Sequence, residues 1–73
     1  MNVNLDYYKI FYYVAKYENF TRAAQALGNS QPNVTRAMNC LEQQINRTLF
    51  VRTNRGVQLT QEGKRLYEHV SIA

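Results

Sequence analysis

The chain has 73 residues, a formal net charge of +4 and an apolar content of 45%, with one cysteine. A chain of this size forms one small domain with one modest core and leaves no room for a substantial substrate pocket. No apolar run approaches the roughly 18 residues of a membrane span, Met1-Asn2-Val3-Asn4 lacks the layout of a signal segment, and the lone Cys40 excludes an internal disulfide and a cysteine zinc site. These features imply a cytoplasmic protein with no membrane partner. The net charge resides between residues 30 and 65, where Arg36, Arg47, Arg52, Arg55, Lys64 and Arg65 outnumber Glu42 and Glu62. A concentrated basic face suits a polyanion; a solvated basic surface is the plainer alternative.

Residues 5–18 predict a first helix, because Tyr8, Phe11, Tyr12 and Ala15 recur at three- and four-residue steps, as do Tyr7, Phe11 and Val14. Tyrosines at the edge of such a face pack the ring and keep the hydroxyl wet. Lys16, Glu18 and Asn19 mark the end of this helix, and Phe20 reads as a core anchor ahead of the next. Thr21 is the expected N-cap of a second helix at about 22–27, with Ala23, Ala24 and Leu27 facing inward. Gly28-Asn29-Ser30 predicts a turn, since Gly28 takes a positive φ without steric cost. Ser30 caps a third helix at about 31–45, and Pro32 falls in its first turn, where a missing N–H costs little.

The third helix has two faces. At about 100° per residue with Val34 at zero, Met38, Leu41 and Ile45 lie within roughly 40° of it. Pro32, Thr35, Arg36, Asn39 and Gln43 lie between roughly 100° and 200°, on the opposite side. Asn46 tolerates the left-handed conformation that ends a helix. Residues 49–52 and 56–60 predict two short strands around the turn Thr53-Asn54-Arg55-Gly56, a hairpin that forms a wing. Thr60 caps a fourth helix from about 61 onward, with Leu66, Tyr67 and Val70 on one face.

Within residues 20–36, Ala24, Gly28 and Val34 have the spacing of a helix-turn-helix: a small residue for close crossing, a glycine for the turn, and an apolar residue that fixes the roll of the second helix. The chain resembles the N-terminal domain of the LysR-type transcriptional regulators through Phe20-Thr21-Arg22-Ala23-Ala24, Ser30-Gln31-Pro32, Thr35-Arg36, Leu41-Glu42, Leu49-Phe50-Val51-Arg52 and Gly56-Val57-Gln58-Leu59-Thr60-Gln61-Glu62-Gly63. The resemblance covers nearly the whole chain. It implies a mainly α winged helix-turn-helix over residues 1–59, with the helix-turn-helix at about 21–45 and the wing at about 49–59, followed at 60–73 by the start of a linker and dimerisation helix.

It also implies double-stranded DNA as partner, an interrupted palindrome as the recognised site, and a separate effector domain that binds a small molecule. The DNA-binding domain itself needs no cofactor. A homo-oligomer is implied for the full-length protein, and a weak dimer at most for this length of chain. Asn29, Asn33, Cys40 and Asn46 depart from the family pattern, where an apolar residue, alanine, a charged residue and glycine are usual.

On these grounds Arg36 is the leading DNA contact, to guanine or to a phosphate. Gln31 and Thr35 suit base edges and Pro32 a thymine methyl, while Thr35 has its own helix carbonyl as an alternative partner. Arg55 at the wing tip suits the minor groove. Arg52 suits a phosphate, or else pairs with Glu42 or Glu62. Ser30 and Thr21 present helix-start N–H groups to phosphates, with Arg22 and Asn39 as further phosphate candidates. A winged helix devoted to protein contacts would be expected to lack this cationic, amide-rich face. An enzyme would need an acid–base pair, an activated nucleophile, a metal cluster or a phosphate-binding glycine loop, and the sequence supplies none of these.

Overall fold

The computed structural model describes residues 5–72. In chain order the elements are α1 (Leu5–Tyr17), α2 (Phe20–Leu27), α3 (Gln31–Ile45), β1 (Phe50–Thr53), β2 (Gly56–Leu59) and α4 (Gln61–Ile72). The expectations for Met1-Asn2-Val3-Asn4 and for the last residue of the fourth helix lie outside the described residues.

α1 is the hub, packing against α2, α3 and α4. Phe11 and Val14 on its inner face are completely buried beside Ala23 of α2 and Val34, Met38 and Leu41 of α3. The predicted apolar stripe of the third helix is thus the buried one, and Ile45 extends it as a partly buried residue. Ala23 and Ala24 let the helices cross closely, since a longer side chain at either position would have to displace the buried neighbours. Leu66, Tyr67 and Val70 of α4 also pack against this core, and Tyr67 stacks on Tyr12 of α1 with ring centroids 5.4 Å apart.

The caps explain the helix boundaries. Gly28 ends α2 at φ 67°, and its N–H donates to the Ala24 and Gln25 carbonyls. Asn46 ends α3 at φ 57°, the left-handed conformation expected of it. The Ser30 side chain accepts from Asn33 N at 3.3 Å, and the Thr60 hydroxyl accepts from Gly63 N at 3.0 Å. Thr21, however, does not cap α2. Asn19 does, its Oδ1 accepting from Arg22 N at 2.8 Å, so the helix starts at Phe20 and Thr21 lies in its first turn. Asparagine is the stronger N-cap of the two, and Asn19 has the extended backbone (φ −161°, ψ 121°) that the position requires.

The hairpin is antiparallel, with Phe50 opposite Leu59 and Thr53 opposite Gly56. Both strands differ slightly from expectation. The ladder runs on to Thr53, leaving Asn54-Arg55 as a two-residue turn, while Leu49 drops out of the strand as a core residue 1% exposed. The Thr53 hydroxyl braces the turn, accepting from Arg55 N at 3.2 Å and donating to the Gly56 carbonyl at 3.3 Å.

Candidate nucleic-acid interface

The site is built on the outer face of α3. Gln31, Pro32, Arg36, Asn39 and Gln43 are exposed there and Thr35 is half-buried, while the opposite face is locked into the core. Burial of one stripe fixes the rotation of the helix, so the polar stripe projects as a unit.

Two hydrogen-bonded groups organise this face. Gln31 Nε2 donates to Thr35 Oγ1 at 2.8 Å, one turn along the helix. Thr35 therefore has a side-chain partner, and its hydroxyl proton and the Gln31 carbonyl oxygen remain chemically suited to base edges. On the other flank, Arg36 donates from a terminal guanidinium nitrogen to Asn33 Oδ1 at 3.2 Å, and Asn33 Nδ2 donates to Asn29 Oδ1 at 3.2 Å. The Asn29 oxygen also accepts from Ser30 N at 2.8 Å, which anchors the chain to the helix cap.

The wing is attached to this framework at three points. Glu42 of α3 accepts from Leu49 N at 2.7 Å and Phe50 N at 3.2 Å through one carboxylate oxygen, tying the third helix to the start of β1. Val57 N donates to the Glu18 carbonyl at 3.2 Å, tying β2 to the elbow between α1 and α2. The Arg52 guanidinium lies over the Phe20 ring, 5.1 Å from its centroid, in cation–π geometry. Phe20 in turn meets Phe50 edge-on at 5.9 Å, and Phe50 packs on Phe11 at 5.4 Å.

These contacts correct the expected partners of Arg52. Glu42 is engaged by backbone amides, and Glu62 pairs with Arg47 at 3.3 Å, so Arg52 stacks on an aromatic ring instead of joining a carboxylate. Its planar fork still has edge donors suited to a phosphate. Arg55 is exposed in the turn at the wing tip, and Thr21 and Arg22 are exposed in the first turn of α2. The site residues thus fall into groups along α3, at the start of α2 and on the wing, joined by Glu42, Glu18 and Phe20.

The roles of Glu42, Asn29 and Asn33 as organisers were not anticipated from the sequence. Glu42 acts on amides seven and eight residues away, and nothing in a helical pattern marks that reach. Asn33 and Arg36 do leave a signal, a spacing of three residues that makes them neighbours on a helix surface, whereas Asn29 precedes the Ser30 cap.

Among the described residues no group of three or more His, Cys, Asp and Glu side chains is placed to hold a metal ion. Nor, among them, is any helix long and apolar enough to cross a membrane.

A two-stranded wing behind a helix-turn-helix, with a polar stripe on the second helix of the motif, defines a winged-helix regulator domain. The profile described as "Bacterial regulatory helix-turn-helix protein, lysR family" matches residues 5–64, and the chain belongs to that family. The regulator BudR of Klebsiella aerogenes is 44% identical over 66 residues, covering 90% of this chain and 46% of BudR. YofA of Bacillus subtilis is 46% identical over 61 residues, covering 84% of this chain and 21% of YofA. The chain therefore spans less than half the length of these curated relatives.

Among solved structures, the CbnR DNA-binding domain in complex with DNA superposes with a TM-score of 0.88 at 35% identity, covering 99% of this chain and 80% of that one. The BenM DNA-binding domain on its catB site 1 DNA superposes with a TM-score of 0.89 at 29% identity, covering 99% and 79%. The fold is that of the family's DNA-binding domains.

Proposed function

We propose that this domain binds double-stranded DNA sequence-specifically, as the DNA-reading part of a LysR-type transcriptional regulator. The observation that carries the reading is the outer face of α3, where Gln31, Pro32, Thr35, Arg36 and Asn39 share a polar stripe on a helix whose other side is buried at Val34, Ala37, Met38 and Leu41. α3 enters the major groove, with Arg36, Gln31 and Thr35 at base edges and Pro32 against a thymine methyl. Arg55 on the wing enters the adjacent minor groove. Arg52, Arg22, Asn39, the Ser30 hydroxyl and Thr21 in the first turn of α2 hold phosphates, which set register and supply affinity common to all sequences.

The same reading divides the chain into a DNA-binding unit at residues 1–59 and the start of a linker helix at 60–73. It assigns the whole protein a cytoplasmic location, no catalytic activity, and a separate domain for a small-molecule effector. In the full-length protein two such domains, paired through the linker helix, address an interrupted palindrome. Leu66, Tyr67 and Val70 are partly buried against the domain's own core, which supports a weak dimer at most for this length of chain.

Replacing Arg36 with alanine tests the assignment. Fluorescence anisotropy on the preferred duplex is expected to show a loss of about 1–3 kcal/mol, with preference relaxed at one base pair. A variant that binds its best site as tightly as the parent would contradict it.

A further inference from the structure

On the reading that α3 reads DNA, we propose that Asn33 is a positioning residue: it holds the Arg36 guanidinium in its reading orientation and so sets the base preference at the position Arg36 contacts, with no base contact of its own. The juxtaposition is a side-chain relay along one edge of the recognition face. Ser30 N and Asn33 Nδ2 both donate to Asn29 Oδ1, at 2.8 and 3.2 Å, and Arg36 donates to Asn33 Oδ1 at 3.2 Å.

The chemistry fixes the direction of the relay. A guanidinium has only donors, so the Asn33 amide must turn its oxygen to Arg36. Its nitrogen then faces Asn29, whose side chain is left with an acceptor oxygen toward it. Asn33 is also held at its backbone, where its N–H donates to the Ser30 hydroxyl at 3.3 Å, so the relay starts from the helix cap, where the backbone is fixed. An arginine on an exposed helix face otherwise samples many rotamers, and ordering one on binding costs affinity. A guanidinium held at one nitrogen keeps its remaining N–H groups available for a base edge or phosphate.

Position matters too. Asn33 lies about 60° around α3 from Arg36, just outside the polar stripe and beside Arg36 at its edge, whereas Pro32, Asn39 and Gln43 lie within it. That places Asn33 to support a reading side chain from beside it.

The test compares the parent chain with Asn33→Ala, Arg36→Ala and the double variant, on a panel of duplexes carrying every single-base change in the preferred site. The side chain of Asn33 is exposed and alanine favours helix, so Asn33→Ala is expected to melt as the parent does. Asn33→Ala should weaken discrimination about 2- to 10-fold, the scale of ordering one long side chain, and only at the base pair that Arg36→Ala also relaxes. The double variant should match Arg36→Ala alone. Asn33→Asp, which loses the donor to Asn29 but retains an acceptor oxygen toward Arg36 and the backbone bond to Ser30, should restore discrimination at that base pair while lowering affinity for all duplexes through its added charge.

Relaxation at a different base pair would show that Asn33 reads a base directly and would overturn the proposal. So would additive losses in the double variant, or an unchanged Asn33→Ala profile. A parent chain with no preference among duplexes would instead remove the DNA-reading function itself. In that case the Nε–Hε relaxation of Arg36 in the free protein still reads the relay: it stays rigid in the parent and is freed in Asn33→Ala where the restraint exists, and is the same in both where it does not.

Discussion

Glu42 shows how one side chain positions a site without belonging to it. Its carboxylate caps two successive amides at the entry to the wing, and both bonds are to a charged acceptor in a half-buried setting. Bonds of that kind contribute more than neutral ones, and an unpaired amide left behind adds a desolvation cost. Glu42→Ala is therefore expected to destabilise the domain by about 2–3 kcal/mol, read as a lower urea midpoint, with Glu42→Gln intermediate. An unchanged midpoint would mean the carboxylate is dispensable. Residue-scale features set by neighbours in sequence were legible beforehand, including the caps at Ser30 and Thr60 and the left-handed ends at Gly28 and Asn46. Asn19 was legible in principle, since asparagine outranks threonine as an N-cap, but Thr21 stood closer to the predicted start of the apolar pattern. Partnerships across the fold, such as Arg52 over Phe20, leave no trace in local spacing.

Among the elements, the wing depends most on backbone geometry. Gly56 has φ +125°, and a Cβ there would meet the Glu18 carbonyl oxygen at 2.7 Å. That carbonyl is also the acceptor for Val57 N, so the close approach is the bond that ties β2 to the elbow between α1 and α2. Gly56→Ala meets both the strained conformation and the contact, and should cost about 1–3 kcal/mol. Hydrogen exchange should show the Val57 amide losing protection before the amides of α3 do. Equal protection in parent and variant would mean the elbow does not restrain the wing. The sequence located both strands to within a residue, because Asn54 and Gly56 mark the turn, but the tie to Glu18 depends on how α1 ends and could not be read from the hairpin itself. α3 was legible in full, since an unbroken apolar stripe between a serine cap and an asparagine end leaves little freedom in its boundaries.

For the whole molecule, charge and fold act on different parts of binding. The net charge of +4 favours any polyanion, whereas on the proposed function the polar stripe of α3 distinguishes one sequence from another. With Arg22 and Arg52 assigned to phosphates and Arg36 and Arg55 to the grooves, the logarithm of affinity should fall with the logarithm of salt concentration with a slope of about −2 from the phosphate pair alone to about −4 if all four displace counterions. Arg52→Ala should make that slope shallower by about one and leave base preference unchanged. A slope that stays the same would remove Arg52 from the phosphate contacts and leave it only its stack on Phe20.

The measurement that tests the central claim most directly is selection of this domain against a pool of randomised duplexes, followed by sequencing of the bound fraction over successive rounds. Enrichment of one short motif is expected, with its strongest position lost when Arg36 is replaced by alanine. Binding that enriches no motif in the parent, or a motif that survives unchanged in Arg36→Ala, would contradict the claim that the outer face of α3 reads DNA sequence.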